Sequence, residues 1–202
     1  LYFFNGSIDE FCIFNTALSE TDIRDWMCKS IDNTHPYWSN LLCYLKMDEG
    51  SGTICFDSGT YGNPAYVLSP YTYTWVTSGA AIGDSSVYSY PANWTGQDLT
   101  FTNSSGDELT VSDVTSAGNT GVQIYRVGSN PNSTTGITDV GTTNSYYGVY
   151  LTDFSGTYTV DYNYADFTTA CETCNPLYTR NNNAETTWSA VDATHTSCTA
   201  TA

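Results

Sequence analysis

The chain has 202 residues, of which 40% are hydrophobic and 15% aromatic, enough to bury a core in one or two domains. It carries 21 acidic against five basic residues, a formal net charge of −16. The cations Arg24, Lys29, Lys46, Arg126 and Arg180 stand singly, which excludes nucleic-acid phosphates and anionic membrane surfaces as expected partners.

No apolar run has the length of a membrane-spanning helix, and the first residues lack the basic start and apolar stretch of a signal peptide. Ser, Thr, Asn, Gly and Tyr are abundant while Lys, Glu and Met are scarce, a balance that suits extracellular β-modules. The seven cysteines, Cys12, Cys28, Cys43, Cys55, Cys171, Cys174 and Cys198, point to an oxidising compartment and are the disulfide candidates. Their odd number leaves at least one without a partner in the chain.

In chain order, "EFCIF" alternates as a strand with Phe11 and Ile13 on one side and Cys12 and Phe14 on the other. "ALSETDIRDW" predicts a short helix, with Ser19 as its cap and Asp22 three residues on in the position of a capping box. Ile23, Trp26 and Met27 form its apolar stripe, which fits a helix laid on a sheet better than a binding surface. In "LLCYLKMDEGSGTICF", a hairpin centred on Glu49 sets Cys43 opposite Cys55, within disulfide reach. Cys12 with Cys28, or Cys28 with Cys43, are further options, and connectivity stays open.

From about residue 84 the chain becomes a series of short aromatic and β-branched runs, at 87–90, 99–102, 109–114, 122–127, 146–151, 157–164, 177–180 and 186–191, broken by turn residues. This spacing predicts a β-sandwich. In "TYTVDYNY", Tyr158, Val160, Tyr162 and Tyr164 share one face and Thr159, Asp161 and Asn163 the other, so one face packs and one is wet. "GSNPNSTTGITDVGTTNSYYG" reads as a loop. The expected fold class is therefore all-β with one short helix.

"NGSIDEFCIFNTALSETDI", over Gly6 to Ile23, resembles the closing strand and helix of laminin G-like or concanavalin-type jelly rolls, and "YLKMDEGSGTICFDSGTYGN" resembles their opening strand and first turn. The resemblance implies a division into 1–40, the end of one such domain; 41–83, a truncated repeat or connector; and 84–202, a β-sandwich module. The strands missing from the first unit would lie upstream or come from another chain. Residues 84–191, with "GDSSVYSY", "GVQIYRV" and "YYGVYLTDFSGTYTVDYNY", resemble a module that follows laminin G-like domains in secreted surface proteins of Bacteroidetes-type bacteria, many exported by type IX secretion. Laminin G-like domains often bind calcium, and Asp48 and Asp57 are the carboxylates that could contribute to such a site. No other cofactor is expected.

No catalytic or metal residues are assigned. The acid pairs Asp9–Glu10, Asp48–Glu49 and Asp107–Glu108 are sequence neighbours that point to opposite faces of a strand, so they read as turn or surface residues. His35 and His195 lie outside recognisable nucleophile motifs and read as solvated. "CETC" at Cys171 to Cys174 lacks the setting of a redox pair and the second pair of a zinc site, which favours a structural disulfide, within the motif or to Cys198. Asn-x-Ser/Thr sequons start at Asn5, Asn93, Asn103 and Asn132. The expectation is a non-catalytic, extracellular or cell-surface module for adhesion, glycan or protein binding, or spacing. Its partners would be glycans, surface proteins, neighbouring domains or adjacent subunits. Alternatives are an accessory module of a secreted glycoside hydrolase and a filament subunit that exchanges strands between chains.

Overall fold

The computed structural model describes residues 4–68, 73–116, 118–138, 145–163, 165, 177–191, 193–196 and 199–201. Cys171, Cys174, Cys198 and Tyr164 lie outside these, so the readings placed on them do too. The fold is all-β with one short helix, in several antiparallel sheets.

Strand β1 (Phe11–Phe14) alternates as expected, with Phe11 and Ile13 on the exposed side and Cys12 and Phe14 half-buried. It pairs antiparallel with β2 (Leu41–Leu45), across the 40/41 division read from the sequence, so 4–68 is one interleaved unit. Helix α1 (Glu20–Trp26) lies between them in sequence. The Ser19 hydroxyl accepts from the Asp22 N–H, and the Asp22 carboxylate accepts from the Ser19 N–H at 2.9 Å, so the capping box forms. Ile23, assigned above to the apolar stripe, is 51% exposed; Trp26 and Met27 carry the packing alone.

The hairpin after β2 departs from the expected register. Leu45 lies opposite Asp57, which centres the turn on Ser51 instead of Glu49 and takes Cys43 out of register with Cys55. Gly50 (φ +67°) and Gly52 (φ +83°) explain this, because they supply the left-handed backbone that the turn needs and a glutamate disfavours. Beyond it, β3 (Ile54–Cys55) pairs with β4 (Ala65–Tyr66). Cys12, Cys28, Cys43 and Cys55 are all free thiols, which corrects the pairings expected among them. Cys28 is turned into the interior (1% exposed) and its carbonyl accepts from the Gly83 N–H.

The remaining chain forms a two-sheet sandwich. One sheet orders β5 (Ser85–Ser89), β8 (Gly121–Val127) and β9 (Tyr146–Thr152), with β8 central. The other holds β6 (Leu99–Thr102), β7 (Glu108–Ser116), β10 (Gly156–Asn163), β14 (Thr199–Thr201) and β13 (Thr194–Thr196), in the order β13-β14-β10-β7-β6. A small pair, β11 (Tyr178–Thr179) with β12 (Ser189–Ala190), forms a separate two-stranded sheet, beside which Trp188 packs on Tyr146 of β9. Leu99, Phe101, Leu109, Val111, Val114, Val122, Ile124 and Trp94 form the core, and Val160 and Tyr162 pack against it, as their alternation in β10 predicts. Tyr158 sits where the β7–β10 register shifts and is 37% exposed, so the shared face expected for it is broken by a bulge. The outer face is wet: the Thr100 and Thr110 hydroxyls meet at 2.8 Å across strands, as do those of Thr115 and Thr157.

The N-terminal unit and the sandwich meet at residue 83. There the Gly83 N–H donates to the Cys28 carbonyl, the Ser30 N–H donates to the Gly83 carbonyl, and the Asp84 N–H donates to the Arg126 carbonyl. Three backbone segments thus stack with no side chain between them. A Cβ on Gly83 would stand 2.4 Å from the Arg126 oxygen. Gly83→Ala is expected to lower stability by about 2 kcal/mol, the scale of overpacking a tight contact, measured as the shift in urea midpoint at unchanged slope. Wild-type stability would show that the joint yields freely.

Candidate functional site

Chain direction gathers three connections at one end of the sandwich. The crossings from β5 to β6, from β7 to β8 and from β9 to β10 all leave the same end, while the β6–β7 and β8–β9 hairpins turn at the other. Between the first two crossings lies an open cleft of about 690 Å³, bounded by residues 92–98 on one side and by 113–116, Gly118 and Asn119 on the other.

Its floor is apolar. Trp94 is 7% exposed and its indole N–H donates to the Thr120 carbonyl at 2.8 Å; Val114 is also 7% exposed. The walls are polar: exposed Asn93, Gln97, Asp98, Asp113 and Asn119 face solvent, and no lining residue is cationic. The turn 94–97 closes through the Gln97 N–H to the Trp94 carbonyl at 3.0 Å, with Gly96 at φ +66°. Asp113 occupies φ +49° in the β7 bulge, where two residues face one on β10, and this lifts its carboxylate from the strand alternation toward the cleft rim. Asp153, at φ +50°, belongs to the third crossing, and its carbonyl lies 2.9 Å from the buried Thr120 hydroxyl. Sequence reading missed this cleft, because its parts, the loop 92–98 and the end of β7 with Gly118 and Asn119 beyond it, are brought together only by the sheet topology. Asn93 was noted there only as a sequon.

The residues singled out from the sequence are elsewhere. Burial pushes the Cys28 thiol up to about 12; it also raises the thiols of Cys12, beside Glu10 and Cys43, of Cys43, beside Asp57, and of Cys55, beside Glu49. All four are therefore held as thiols at neutral pH, which makes them poor nucleophiles and ligands.

The acid pairs act locally. Glu10, at φ +50°, accepts from the Tyr44 hydroxyl; burial raises its pKa in spite of that bond, with Asp9 adding to the rise. Asp9 accepts from the Ser78 hydroxyl and the Glu10 N–H, and Glu49 accepts from the Phe56 N–H at 2.6 Å. Asp107 accepts from the Asn103 amide and the Ala165 N–H, and Glu108 from the Thr102 hydroxyl. His35 corrects the solvated reading: it is 3% exposed, enclosed by Phe14, Trp26 and Tyr37. The alternation around residue 35 is too irregular to show that burial.

Asp57, considered above for calcium, uses both carboxylate oxygens on backbone donors: Oδ1 accepts from Tyr44 and Gly59 N–H, and Oδ2 from Asn63 N–H. Among the described residues no three His, Cys, Asp or Glu side chains are grouped as a metal site. No protein-family model, curated protein or solved structure matches the chain.

Burial raises the Asp57 pKa, but the N–H donors of Tyr44, Asn63, Gly59 and Gly62 together hold it below the ordinary aspartate value. A carboxyl depressed in the folded state adds stability above its unfolded pKa and loses it as pH falls through the folded one. Asp57→Asn turns an acceptor into a donor facing N–H groups and is expected to cost about 1–3 kcal/mol at pH 7, with the deficit shrinking toward pH 3. Chemical denaturation of both proteins across that range checks it; a pH-independent deficit would show that charge plays no part.

Proposed function

We propose that the chain is a non-catalytic binding module of a larger secreted or cell-surface protein, and that the cleft at the sandwich end holds a neutral glycan. The observation that carries this reading is the cleft's composition. Side-chain amides, hydroxyls and carboxylates from one loop, from the end of β7 and from Asn119 beyond it surround a floor of Trp94 and Val114, and no cation is among the lining residues described. Planar amides and carboxylates offer the paired donors and acceptors that vicinal hydroxyls match, whereas anionic ligands would meet Asp98 and Asp113. The laminin G-like resemblance of residues 6–23 and 44–63 and the composition typical of extracellular modules support the same setting.

The test is a heteronuclear NMR titration with neutral β-glucan and mannan hexasaccharides. Amide shifts are expected at 92–98 and 113–119 for at least one of them, and the double variant Gln97→Ala, Asn119→Ala is expected to weaken that binding about 10-fold, equivalent to roughly 1.4 kcal/mol. Shifts confined to other surfaces, or none at millimolar sugar, would sink the reading.

A second reading, a subunit that exchanges strands between chains, is favoured by the surface of the N-terminal unit. Phe4 (71%), Ile8 (52%), Phe11 (43%) and Ile13 (44%) are exposed around β1, which pairs on one edge among the described residues. An apolar strand with a free edge invites addition of a further strand. Sedimentation across a range of about 1–200 µM, where weak self-association shows, is expected to give reversible association that Ile13→Lys abolishes. A monomer throughout would remove this alternative.

A further inference from the structure

His35 is one of three buried polar side chains of the molecule's described part, and neither the cleft nor the strand-addition reading uses it. Its ring is 4.7 Å from that of Trp26 on α1, 5.1 Å from Phe14 on β1 and 6.1 Å from Tyr37, which precedes the 3-10 turn Trp38–Asn40. Its Nδ1 accepts a hydrogen bond from the Tyr37 backbone N–H at 3.0 Å. That bond fixes the neutral tautomer with hydrogen on Nε2, because Nδ1 must present a lone pair. The turn is further closed by the His35 N–H to the Asp32 carbonyl and the Trp38 N–H to the His35 carbonyl.

A second proton would go to Nδ1 and set two N–H groups against each other inside an aromatic cage. We propose that His35 is a latch, closed while its imidazole is neutral, whose protonation opens the 32–40 turn and frees helix α1 from the sandwich. The helix is what the latch controls: the Arg24 guanidinium lies 3.8 Å over the Tyr90 ring, and the Tyr90 hydroxyl reaches the Met27 sulfur, so α1 links the N-terminal unit to the β5 end of the sandwich.

The charged and titratable groups around the ring do not reverse this. Glu10 and Cys12 from β1, Asp22 from α1 and Lys29 after it line the same small cavity beside His35, and Asp32 lies in the turn itself. Burial lowers the histidine's pKa; Asp22 and Asp32 oppose the shift and Lys29 adds to it, and the net direction is downward. A histidine depressed in the folded state contributes nothing to pH dependence above its unfolded pKa, near 6.5, and costs stability as pH falls below that value. Acidification therefore acts against the closed turn.

The experiment follows the imidazole Cε1 signal of His35 by NMR from pH 7.5 to 4.5 and, on the same samples, hydrogen exchange of the Tyr37 amide after correction for intrinsic rates. Protection at Tyr37 is expected to fall by up to about 10-fold per pH unit below the usual histidine range, together with protonation of His35. His35→Phe, which keeps an aromatic ring in the cage, should leave the residual protection of that region flat with pH. Protonation of His35 with Tyr37 protection unchanged would overturn the latch, as would a histidine that stays neutral to pH 4.5. Should His35→Phe fail to fold, the wild-type titration decides alone.

Discussion

Strand β8 is buried on both faces, and the rest of the molecule is arranged around that constraint. Its inner face gives Val122 and Ile124 (both 0% exposed) to the sandwich core, while its outer face carries Gln123 (0%) and Tyr125 (6%). A sandwich strand normally leaves its outer face to water. Here the Gln123 amide donates to the Tyr90 hydroxyl, and Tyr90 in turn receives Met27 and Arg24 from the helix of the N-terminal unit. The tyrosines fit because glycines make room: a Cβ on Gly121 would lie 1.9 Å from the Tyr90 ring, and one on Gly148 would lie 2.1 Å from the Tyr125 ring. The N-terminal unit is therefore part of the sandwich's packing, although its strands belong to separate small sheets.

How much of this was legible depended on whether the signal was local. All eight β-segments read from spacing after residue 84 contain observed strands, because alternation and turn residues act within a few positions. The capping box of α1 was readable for the same reason, since Ser19 and Asp22 are three residues apart. Long-range facts were not. "GVQIYRV" gives no sign that Gln123 is buried, since a polar residue at that position is the normal mark of a solvent face; the side chain meets Tyr90, which in turn packs on Arg24 and Met27, far away in sequence. The cleft was invisible likewise, because 92–98 meets 113–116, Gly118 and Asn119 only through sheet crossing. The hairpin at Ser51 failed for a subtler reason: symmetric placement of cysteines suggested a register, but glycine backbone geometry decided it.

Topology also explains why the cleft sits where it does. Three consecutive strand pairs cross between sheets at one end, and each crossing must span the thickness of the core, so its residues cannot pair in either ladder. Unpaired backbone there needs turn chemistry, which brings Asn, Gly and Asp into the same region; the positive φ of Asp153 belongs to the third crossing, and that of Asp113 to the β7 bulge beside the second. The opposite end is closed in its β6–β7 hairpin by Asn103, whose side chain accepts from the N–H of Ser105 and Asp107. A polar concavity at the crossing end follows from the fold itself, and Trp94 supplies its solid floor by filling the gap that the first crossing leaves in the core.

The charge imbalance has a structural counterpart. Four of the five cations lie over aromatic rings: Arg24 on Tyr90, Lys29 on Trp26, Lys46 on Tyr44, and Arg180 between Tyr146 and Trp188. Among the described residues only Arg24 also forms an ion pair, with Glu20. The carboxylates are left to bond N–H and O–H groups, and for Asp22, Asp32, Asp57 and Glu185 these bonds hold the pKa below its ordinary value. Such bonds need no cation and are less sensitive to salt than surface ion pairs. They weaken as pH falls through the lowered pKa values of the acids themselves. Acid therefore reaches the molecule by two routes: through the imidazole of His35 at the joint between the N-terminal unit and the sandwich, and through the carboxylates at the turns that shape each part.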